Sequence, residues 1–341
     1  MRVWPQQLIT ATRLRSTVLA LMLAAVLQGA SEAAAAASGA SRPVPVPALP
    51  AGWSLATLPG ADPGVALAAL RRATLVPPAR YRVVVLPGSG CTGWLPVAPR
   101  YFAGLLHAEL LVLHKPGVNV SAGLAPECTP DFVENDKLSS WRNHARAALQ
   151  AHPTPFPPPF PPDPVLPVLL VGISEGAELL PELASQVPAL AGVVMISAPG
   201  LDPRDAGELQ ARRLGHEPAW QALARAQASN ASDDTVIEGR TLAYWRDFWH
   251  WRLAQPLLDA PWPLLRVWGD ADGLVPVTAY QQFAQLAHHR AAPFCDLRLP
   301  AADHGLQGEP PGQRDGLQWL WARLEAWARQ PAAGFCAQVL P

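Results

Sequence analysis

Residues 168–180 read VLLVGISEGAELL, an apolar run that two glycines around a serine interrupt once. The residues before the interruption have the composition of a buried strand, and those after it the composition of a helix. A nucleophile in a sharp turn between strand and helix needs neighbours without a Cβ atom, because the two elements approach closely there. Gly172 and Gly176 meet that need, so the pattern predicts that Ser174 is a nucleophile. A merely glycine-rich turn is the alternative.

Short apolar segments alternate with helical patterns along the rest of the chain. The predicted strands have the sequences YRVVVLPGSG, LLVLHKPGV, VLPVLLVGIS, AGVVMISAPG, PLLRVWGDAD and CDLRLPAADH, beginning at Tyr81, Leu110, Val165, Ala191, Pro263 and Cys295. Several are continuously apolar, as is typical of strands covered on both faces. Helical patterns occur at 99–106, 134–150, 175–186, 277–288 and 317–327. This alternation predicts an α/β fold with a mostly parallel sheet and helices on both faces.

Composition divides the chain into a leader, a linker and one domain. Residues 1–37 place three arginines, a short apolar run and small residues in the order of a secretory signal peptide. Residues 38–60 are rich in Pro, Ala and Gly, which predicts a linker or an edge lead-in. The domain is expected over 61–341, with a helical, Trp-rich cap inserted at 201–263. The proline-rich stretch 152–164 predicts an extended spacer.

The leader and the charge of the chain bear on its location and partners. Cleavage of the signal peptide predicts an exported protein, and an uncleaved N-terminal anchor is the alternative. An apolar run of about eleven residues is too short to span a bilayer comfortably, so no stable membrane span is expected after cleavage. The formal net charge of −1 is not the basic footprint of a nucleic-acid-binding protein. The sequence leaves the oligomeric state open.

Candidate partners of the serine follow two later predicted strands. Asp270 and Asp272 come after the fifth strand, and His304 comes after the sixth. The carboxyl ends of parallel strands share one edge of a sheet, where open α/β sheets bind their ligands. A serine hydroxyl becomes reactive when a base takes its proton and an acid orients that base. We therefore expect a serine, an aspartate and a histidine to meet at this edge.

Four motifs together, LPGSG, GISEG, GDADGLVP and ADHGL, resemble those of the α/β-hydrolase family over about residues 80–330. The third is similar to the family's Gly-x-x-Asp-x-x-Val-Pro turn, which favours Asp272 over Asp270 as the acid. The resemblance implies an α/β-hydrolase fold and a triad of Ser174, Asp272 and His304, in the chain order typical of that family.

The resemblance also implies an oxyanion hole built from backbone N–H groups. One donor is expected from Glu175, the residue after the nucleophile, and the second from the loop LPGSGCTGW after the first predicted strand. The family usually has His-Gly in this loop, whereas this sequence has Pro87-Gly88. The alignment assigns the second donor to Ser89, with Gly90 next in line.

Four cysteines allow three pairings, and the predicted strands select among them. Cys91 and Cys128 follow neighbouring parallel strands, so both are expected at the carboxyl edge. Cys295 begins the last strand, and Cys336 follows a final helix that runs antiparallel to that strand. We therefore predict the disulfides Cys91–Cys128 and Cys295–Cys336. A catalytic Cys91 would lack a histidine, and no cysteine pair has the spacing of metal ligands, so no metal is expected.

One helix of the predicted cap is rich in aromatic residues. Tyr244 and Phe248 share one face of it, and Trp245 and Trp249 share another. These side chains could form an apolar wall over a substrate pocket or anchor the helix to the domain. We expect one face to do each.

These residues predict an exported serine hydrolase that cleaves carboxylic esters of small to medium, fairly apolar substrates through an acyl-enzyme. The partner would be a small-molecule ester or amide, and no metal or organic cofactor is implied. A peptidase, a thioesterase or an acyltransferase could use the same residues, because one fold hosts many chemistries. A non-catalytic hydrolase-like binding protein is the alternative of another class, and the presence of all triad residues argues against it.

Overall fold

The structure is a computed structural model that describes four stretches of the chain. These are residues 49–123, 127–151, 165–308 and 315–337. The predicted signal peptide at 1–37 and the predicted proline-rich spacer at 152–164 lie outside the described residues. Within the described stretches, no helix has the length and apolar character that crossing a membrane requires.

The centre of the fold is a mixed sheet to which eight strands of the described chain contribute. In chain order these are β1 (Trp53–Pro59), β2 (Ala66–Arg72), β3 (Tyr81–Leu86), β4 (Ala108–Leu113), β5 (Val168–Ile173), β6 (Leu190–Ile196), β9 (Leu264–Gly269) and β10 (Phe294–Leu299). Their order across the sheet is β1-β2-β4-β3-β5-β6-β9-β10. Pairing is parallel from β4 to β10, whereas β1 and β2 pair antiparallel at one edge. The α/β fold predicted from the sequence is confirmed.

The antiparallel edge favours the edge lead-in over the linker for the part of residues 38–60 that forms β1. β1 lies inside the predicted linker, so the folded domain begins before residue 61. The composition of this segment does not indicate a strand, because an edge strand buries few of its side chains. Trp53 and Leu58 are buried, and the other five residues of β1 are partly or fully exposed. β2, which pairs with β4, was also not predicted.

Helices cover the sheet on both faces. The described helices are α1 (Ala98–Tyr101), α2 (Pro130–Asn135), α3 (Leu138–Ala151), α4 (Leu180–Ala184), α5 (Pro203–Leu214), α6 (Glu217–Gln227), α7 (Leu242–His250), α8 (Ala254–Asp259), α9 (Val277–Leu286) and α10 (Gly316–Trp327). Successive residues of a strand point to opposite faces. In β3, Val84 packs in an apolar cluster with Trp141 of α3, and Val85 packs in a second cluster with Trp321 of α10. The continuous apolar runs therefore reflect burial on both sides.

Two predicted helices differ locally from the expectation. The helix expected at 134–150 is interrupted, since α2 ends at Asn135 and α3 begins at Leu138. The helix expected at 175–186 begins as a 3₁₀ helix, Ser174–Leu179, before α4. Pro181 contributes to the second difference, because proline has no N–H to bond the carbonyl four residues earlier.

The turn after β5 packs against its neighbours without space for side chains. Ser174 has a φ of 51°, a left-handed conformation that residues other than glycine adopt rarely. A Cβ atom on Gly172 would lie 2.4 Å from the Cα atom of Ala177, and one on Gly176 would lie 2.2 Å from the carbonyl oxygen of Leu86. Contacts this short are impossible, so both glycines are needed for the helix to leave the strand at this angle.

The chain between β6 and β9 holds α5 to α8 and a short hairpin of β7 (Val236–Ile237) and β8 (Arg240–Thr241). This segment, called the insertion below, coincides with the cap predicted at 201–263. Its own apolar cluster contains Ala211, Trp220 and Leu223.

Both predicted disulfides are present. Cys91 bonds Cys128, and Cys295 bonds Cys336, with Cα–Cα distances of 5.6 Å and 5.4 Å. Because β3 and β4 are parallel neighbours, the residues that follow them share one edge of the sheet. Phe335, beside the second bridge, packs with Trp327 of α10. The first bridge therefore joins the loops that follow β3 and β4, and the second ties the segment after α10 to β10.

Replacing Cys295 and Cys336 by alanine is expected to lower the free energy of unfolding by about 3–4 kcal/mol, because the bridge closes a loop of 41 residues. Urea denaturation of both proteins under non-reducing conditions measures the difference. Wild-type protein under reducing conditions, with Cys91–Cys128 also open, should lose more. An unchanged unfolding midpoint in the double variant would show that this bridge constrains little of the unfolded chain.

Gly176→Ala is expected to abolish soluble, native protein or to displace the turn after β5, because the added methyl group meets the backbone of Leu86. Gly123→Ala is the matched control, since its Cβ atom would meet only the Pro96 side chain, at 4.0 Å. Near-UV circular dichroism and thermal unfolding compare the two. Equal stability of the two variants would contradict the close packing described here.

Candidate active site

Three side chains predicted from the sequence meet at the carboxyl edge of the parallel strands. Ser174 follows β5 in the middle of the sheet, and its Oγ lies 3.1 Å from Nε2 of His304. Nδ1 of His304 lies 2.8 Å from Oδ2 of Asp272. These distances allow a continuous hydrogen-bonded chain from the carboxylate through the imidazole to the hydroxyl.

Asp272 is held rigidly in the turn after β9. Its Oδ1 accepts hydrogen bonds from the backbone N–H groups of Leu274 and Val275, at 2.7 Å and 3.0 Å. Its Oδ2 accepts a third from the hydroxyl of Tyr280, at 3.0 Å, besides its bond to His304. The carboxylate is therefore fixed on both oxygens, which orients the imidazole that it contacts.

Burial by itself would raise the pKa of Asp272, since the residue is only 4% exposed. The hydrogen bond and charge of His304 and the two backbone N–H groups outweigh burial and hold the pKa below its ordinary value. Burial raises the pKa of Tyr280, and the neighbouring Asp272 raises it further. The tyrosine is therefore a hydrogen-bond donor to a carboxylate that stays ionised.

Two other aspartates, Asp270 in the same turn and Asp303 beside His304, have different contacts. Asp270 pairs with Arg298, whose Nη2 lies 2.7 Å from its Oδ2, and it accepts a bond from the N–H of Ala301. Asp303 accepts a bond from the backbone N–H of Gln307, as expected for a loop acceptor. Neither is hydrogen-bonded to the imidazole of His304, so the geometry favours Asp272.

Ser197, which the sequence analysis did not single out, contacts the same site. It follows β6, between the strands that carry Ser174 and Asp272. Its hydroxyl donates to the backbone carbonyl of His304 at 2.6 Å, and the residue is fully buried with a φ of 53°. Its position at the carboxyl end of a parallel strand was visible in the sequence, but its partner was not.

The predicted oxyanion loop lies beside Ser174. A Cβ atom on Gly88 would lie 3.3 Å from Cβ of Ser174, so the loop that carries Ser89 and Gly90 runs close to the hydroxyl. Gly90 has a φ of 85°, which favours glycine. The bridge from Cys91 and a hydrogen bond from the N–H of Trp94 to His114 hold the loop that follows.

Glu175 is the residue predicted to provide the other donor. Its N–H lies in the first turn of the 3₁₀ helix, where backbone N–H groups have no partner within the helix. Its side chain is buried in a group of polar residues that we call the charge cluster, which consists of Lys115, Asp136, Glu175, Arg240 and Tyr244. Burial would raise the pKa of Glu175, but Lys115 and Arg240 lower it below the ordinary value. No local sequence pattern indicates this cluster, because its members are far apart in the chain.

The four aromatic residues predicted to wall a pocket have packing partners within the insertion. Trp249 stacks on Trp220 with ring centroids 4.7 Å apart, and Phe248 meets the same ring edge-on. The indole N–H of Trp245 donates to the carbonyl of Ile237. Tyr244 is buried, and its hydroxyl donates to Glu175. These contacts show that the four aromatic side chains pack against protein groups. Their contact with a substrate stays a prediction.

No protein-family model matches this chain, and no curated protein is detectably similar to it in sequence. Solved structures do resemble it, and three examples have TM-scores of 0.51 to 0.52. The α/β hydrolase domain-containing protein 10 from mouse shares 17% identity, over 82% of this chain and 99% of that chain.

One of the other two examples is named as an esterase domain. The esterase domain of a Rhodothermus marinus protein shares 19% identity, over 82% of this chain and 98% of that chain. Est1E from Butyrivibrio proteoclasticus shares 12% identity, over 82% of this chain and 99% of that chain. At these identities the likeness concerns the fold, and the chain has the α/β-hydrolase fold.

Proposed function

We propose that this protein is an exported serine hydrolase that cleaves carboxylic esters of small to medium, fairly apolar substrates. The observation that carries the proposal is the hydrogen-bonded chain from Asp272 through His304 to Ser174, with distances of 2.8 Å and 3.1 Å. A histidine between a buried carboxylate and a serine in a strained turn is the arrangement that activates a serine nucleophile.

In the proposed reaction, Ser174 Oγ attacks the carbonyl carbon of the ester while His304 Nε2 takes the hydroxyl proton. Asp272 holds the imidazole in the tautomer that leaves Nε2 free to accept and stabilises the imidazolium that forms. The protonated imidazole then gives its proton to the leaving alcohol, which produces the acyl-enzyme. Water, activated by the same imidazole, releases the acid and restores the serine.

The tetrahedral intermediate carries a negative charge on the former carbonyl oxygen. We assign its stabilisation to the backbone N–H of Glu175 and an N–H of the loop at Ser89 and Gly90. Both segments lie beside Ser174, and donors fixed before the reaction cost no reorganisation when the charge develops.

We favour ester substrates over other acyl compounds because one of the structures with this fold is named as an esterase domain. The apolar preference rests on the aromatic residues of the insertion. Export is supported by the two disulfides, which persist in oxidising compartments.

Ser174→Ala is expected to lower kcat for p-nitrophenyl esters by roughly 10⁴–10⁶-fold, because the nucleophile of a serine triad is removed. The same variant should not react with a fluorophosphonate probe that labels the wild-type protein. Ser185→Ala is the matched control, since this serine lies on the surface at the end of α4 and should remain fully labelled.

Failure of the wild-type protein to react with the probe would favour the binding-protein alternative. A series of esters with increasing acyl length, assayed beside aminoacyl amides, measures the substrate class. Faster turnover of the amides at matched concentration would replace the esterase proposal with a peptidase.

Asp272→Asn is expected to flatten the dependence of the unfolding free energy on pH below about pH 4. The pKa of Asp272 is lower in the folded protein than its ordinary value near ~3.9, so the unfolded state binds more protons in that window. The ionised carboxylate therefore stabilises the fold above that value, and this stabilisation disappears as the pH falls through the folded pKa.

Urea unfolding at a series of acidic pH values measures this slope for wild type and variant. Asp234→Asn is the control, because Asp234 is exposed and its variant should keep the wild-type slope. A variant at position 272 with the wild-type slope would contradict the lowered pKa.

A further inference from the structure

We propose that the side chain of Glu175 is a positioning group for the oxyanion hole, and that the insertion supplies two of the three side-chain contacts described for its carboxylate. This inference rests on the proposed function, because it concerns the backbone N–H that Glu175 would contribute to the same reaction. It assigns a role in catalysis to the charge cluster. The side-chain hydrogen bonds of the cluster join its members to one another and do not reach Ser174, His304 or Asp272.

The body of the domain holds one side of the Glu175 carboxylate. Lys115, in the loop that follows β4, donates to Glu175 Oε1. The same ammonium group donates to Asp136 Oδ1 at 2.8 Å, and it lies 4.8 Å from the centre of the Trp141 ring. Lys115 and Asp136 are 4% and 6% exposed, so neither exchanges these contacts for water.

The insertion holds the other side. Arg240, on β8, is hydrogen-bonded to Asp136 Oδ2 and lies 3.4 Å from Glu175 Oε2. The hydroxyl of Tyr244, on α7, donates to the same oxygen at 3.3 Å. The guanidinium carbon of Arg240 lies 4.3 Å from the centre of the Tyr244 ring, which fixes the two insertion residues relative to each other.

The cluster is balanced in charge, with two cations and two carboxylates, and each carboxylate contacts both cations. Buried charges stay in place when every partner is present, since removing one leaves another uncompensated. A fully satisfied buried network of this kind restricts its members to one geometry. The Glu175 carboxylate is therefore fixed in position rather than mobile.

Fixing the side chain fixes the peptide group next to the nucleophile. The direction of the Glu175 N–H depends on ψ of Ser174 and φ of Glu175. Ser174 is already in the left-handed region, with a φ of 51°, and a strained conformation persists where the surroundings over-determine it. The charge cluster restrains the Ser174–Glu175 peptide group from its C-terminal side. The close packing around Gly172 and Gly176 restrains the backbone of the same turn.

The test compares Glu175→Gln with wild type on an ester and on the matching thionoester, in which sulfur replaces the carbonyl oxygen. Sulfur is a weak hydrogen-bond acceptor, so a thionoester gains little from the oxyanion hole. Losing one oxyanion donor costs roughly 10²–10³-fold in kcat. We expect kcat for the ester to fall toward that range, KM to change little and the kcat ratio of ester to thionoester to fall with it.

Two further variants guard against a loss of folding. The double variant Glu175→Gln/Arg240→Met leaves Lys115 and Asp136 as a neutral pair, and Tyr244→Phe removes one hydrogen bond without changing any charge. Both should lower the ester to thionoester ratio, Tyr244→Phe by less. Arg246→Met is the matched control, because Arg246 lies on α7 and bonds Gln227, Ser229 and Asp233 away from Glu175. It loosens the insertion and should leave the ratio unchanged.

The outcomes separate this inference from the proposed function. A wild-type protein without Ser174-dependent hydrolysis overturns the proposed function and this inference together. An active wild type whose folded cluster variants keep the wild-type ratio overturns the inference alone. An equal fall of the ratio in Arg246→Met also overturns it, because general loosening of the insertion would then explain the effect.

Discussion

The structure depends on one steric constraint, which is the close approach of β5, the turn after it and the loop after β3. A methyl group at position 176 would overlap the carbonyl oxygen of Leu86, and one at position 172 would overlap the backbone of Ala177. With glycine at both positions, the chain reverses within a few residues and Ser174 adopts a left-handed conformation at the edge of the sheet. The same approach brings Gly88 against the serine, so one packing arrangement places the nucleophile and a candidate oxyanion loop together.

Around that turn, the polar groups of the site are held by residues from other parts of the chain. Asp272 is fixed by two backbone N–H groups and Tyr280, and the backbone of His304 is fixed by Ser197. These supports come from the turn after β9, from α9 and from the end of β6, which are elements of the sheet and its covering layer. The charge cluster adds contacts from the insertion. Rigid elements thus hold the groups that need fixed geometry, as an activated serine requires.

The sequence allowed prediction of the six parallel strands, the sharp turn at Ser174, the position of His304 beside it and both disulfides, because each leaves a local pattern or follows from strand order. It did not reveal β1, since an exposed edge strand with few buried residues lacks the apolar signature of the central strands. It also did not reveal β2, which lies between β1 and β4 and is largely buried. It also could not reveal that the helix predicted at 134–150 is interrupted, where Asp136 turns inward to meet Lys115 and Arg240. A buried charge is recognisable only when its partners are known.

By itself, the sequence determined the α/β class and the residue types available for chemistry, because hydrophobic periodicity and glycine spacing act over short distances along the chain. The family resemblance favoured Asp272 over Asp270, and the tertiary structure shows the contacts that separate them, since Asp272 bonds the imidazole and Asp270 bonds Arg298. Tertiary structure alone decided that the aromatic side chains of α7 pack within the insertion and against Glu175. The direction of a side chain and the charges around it depend on residues distant in sequence, and no local pattern encodes those neighbours.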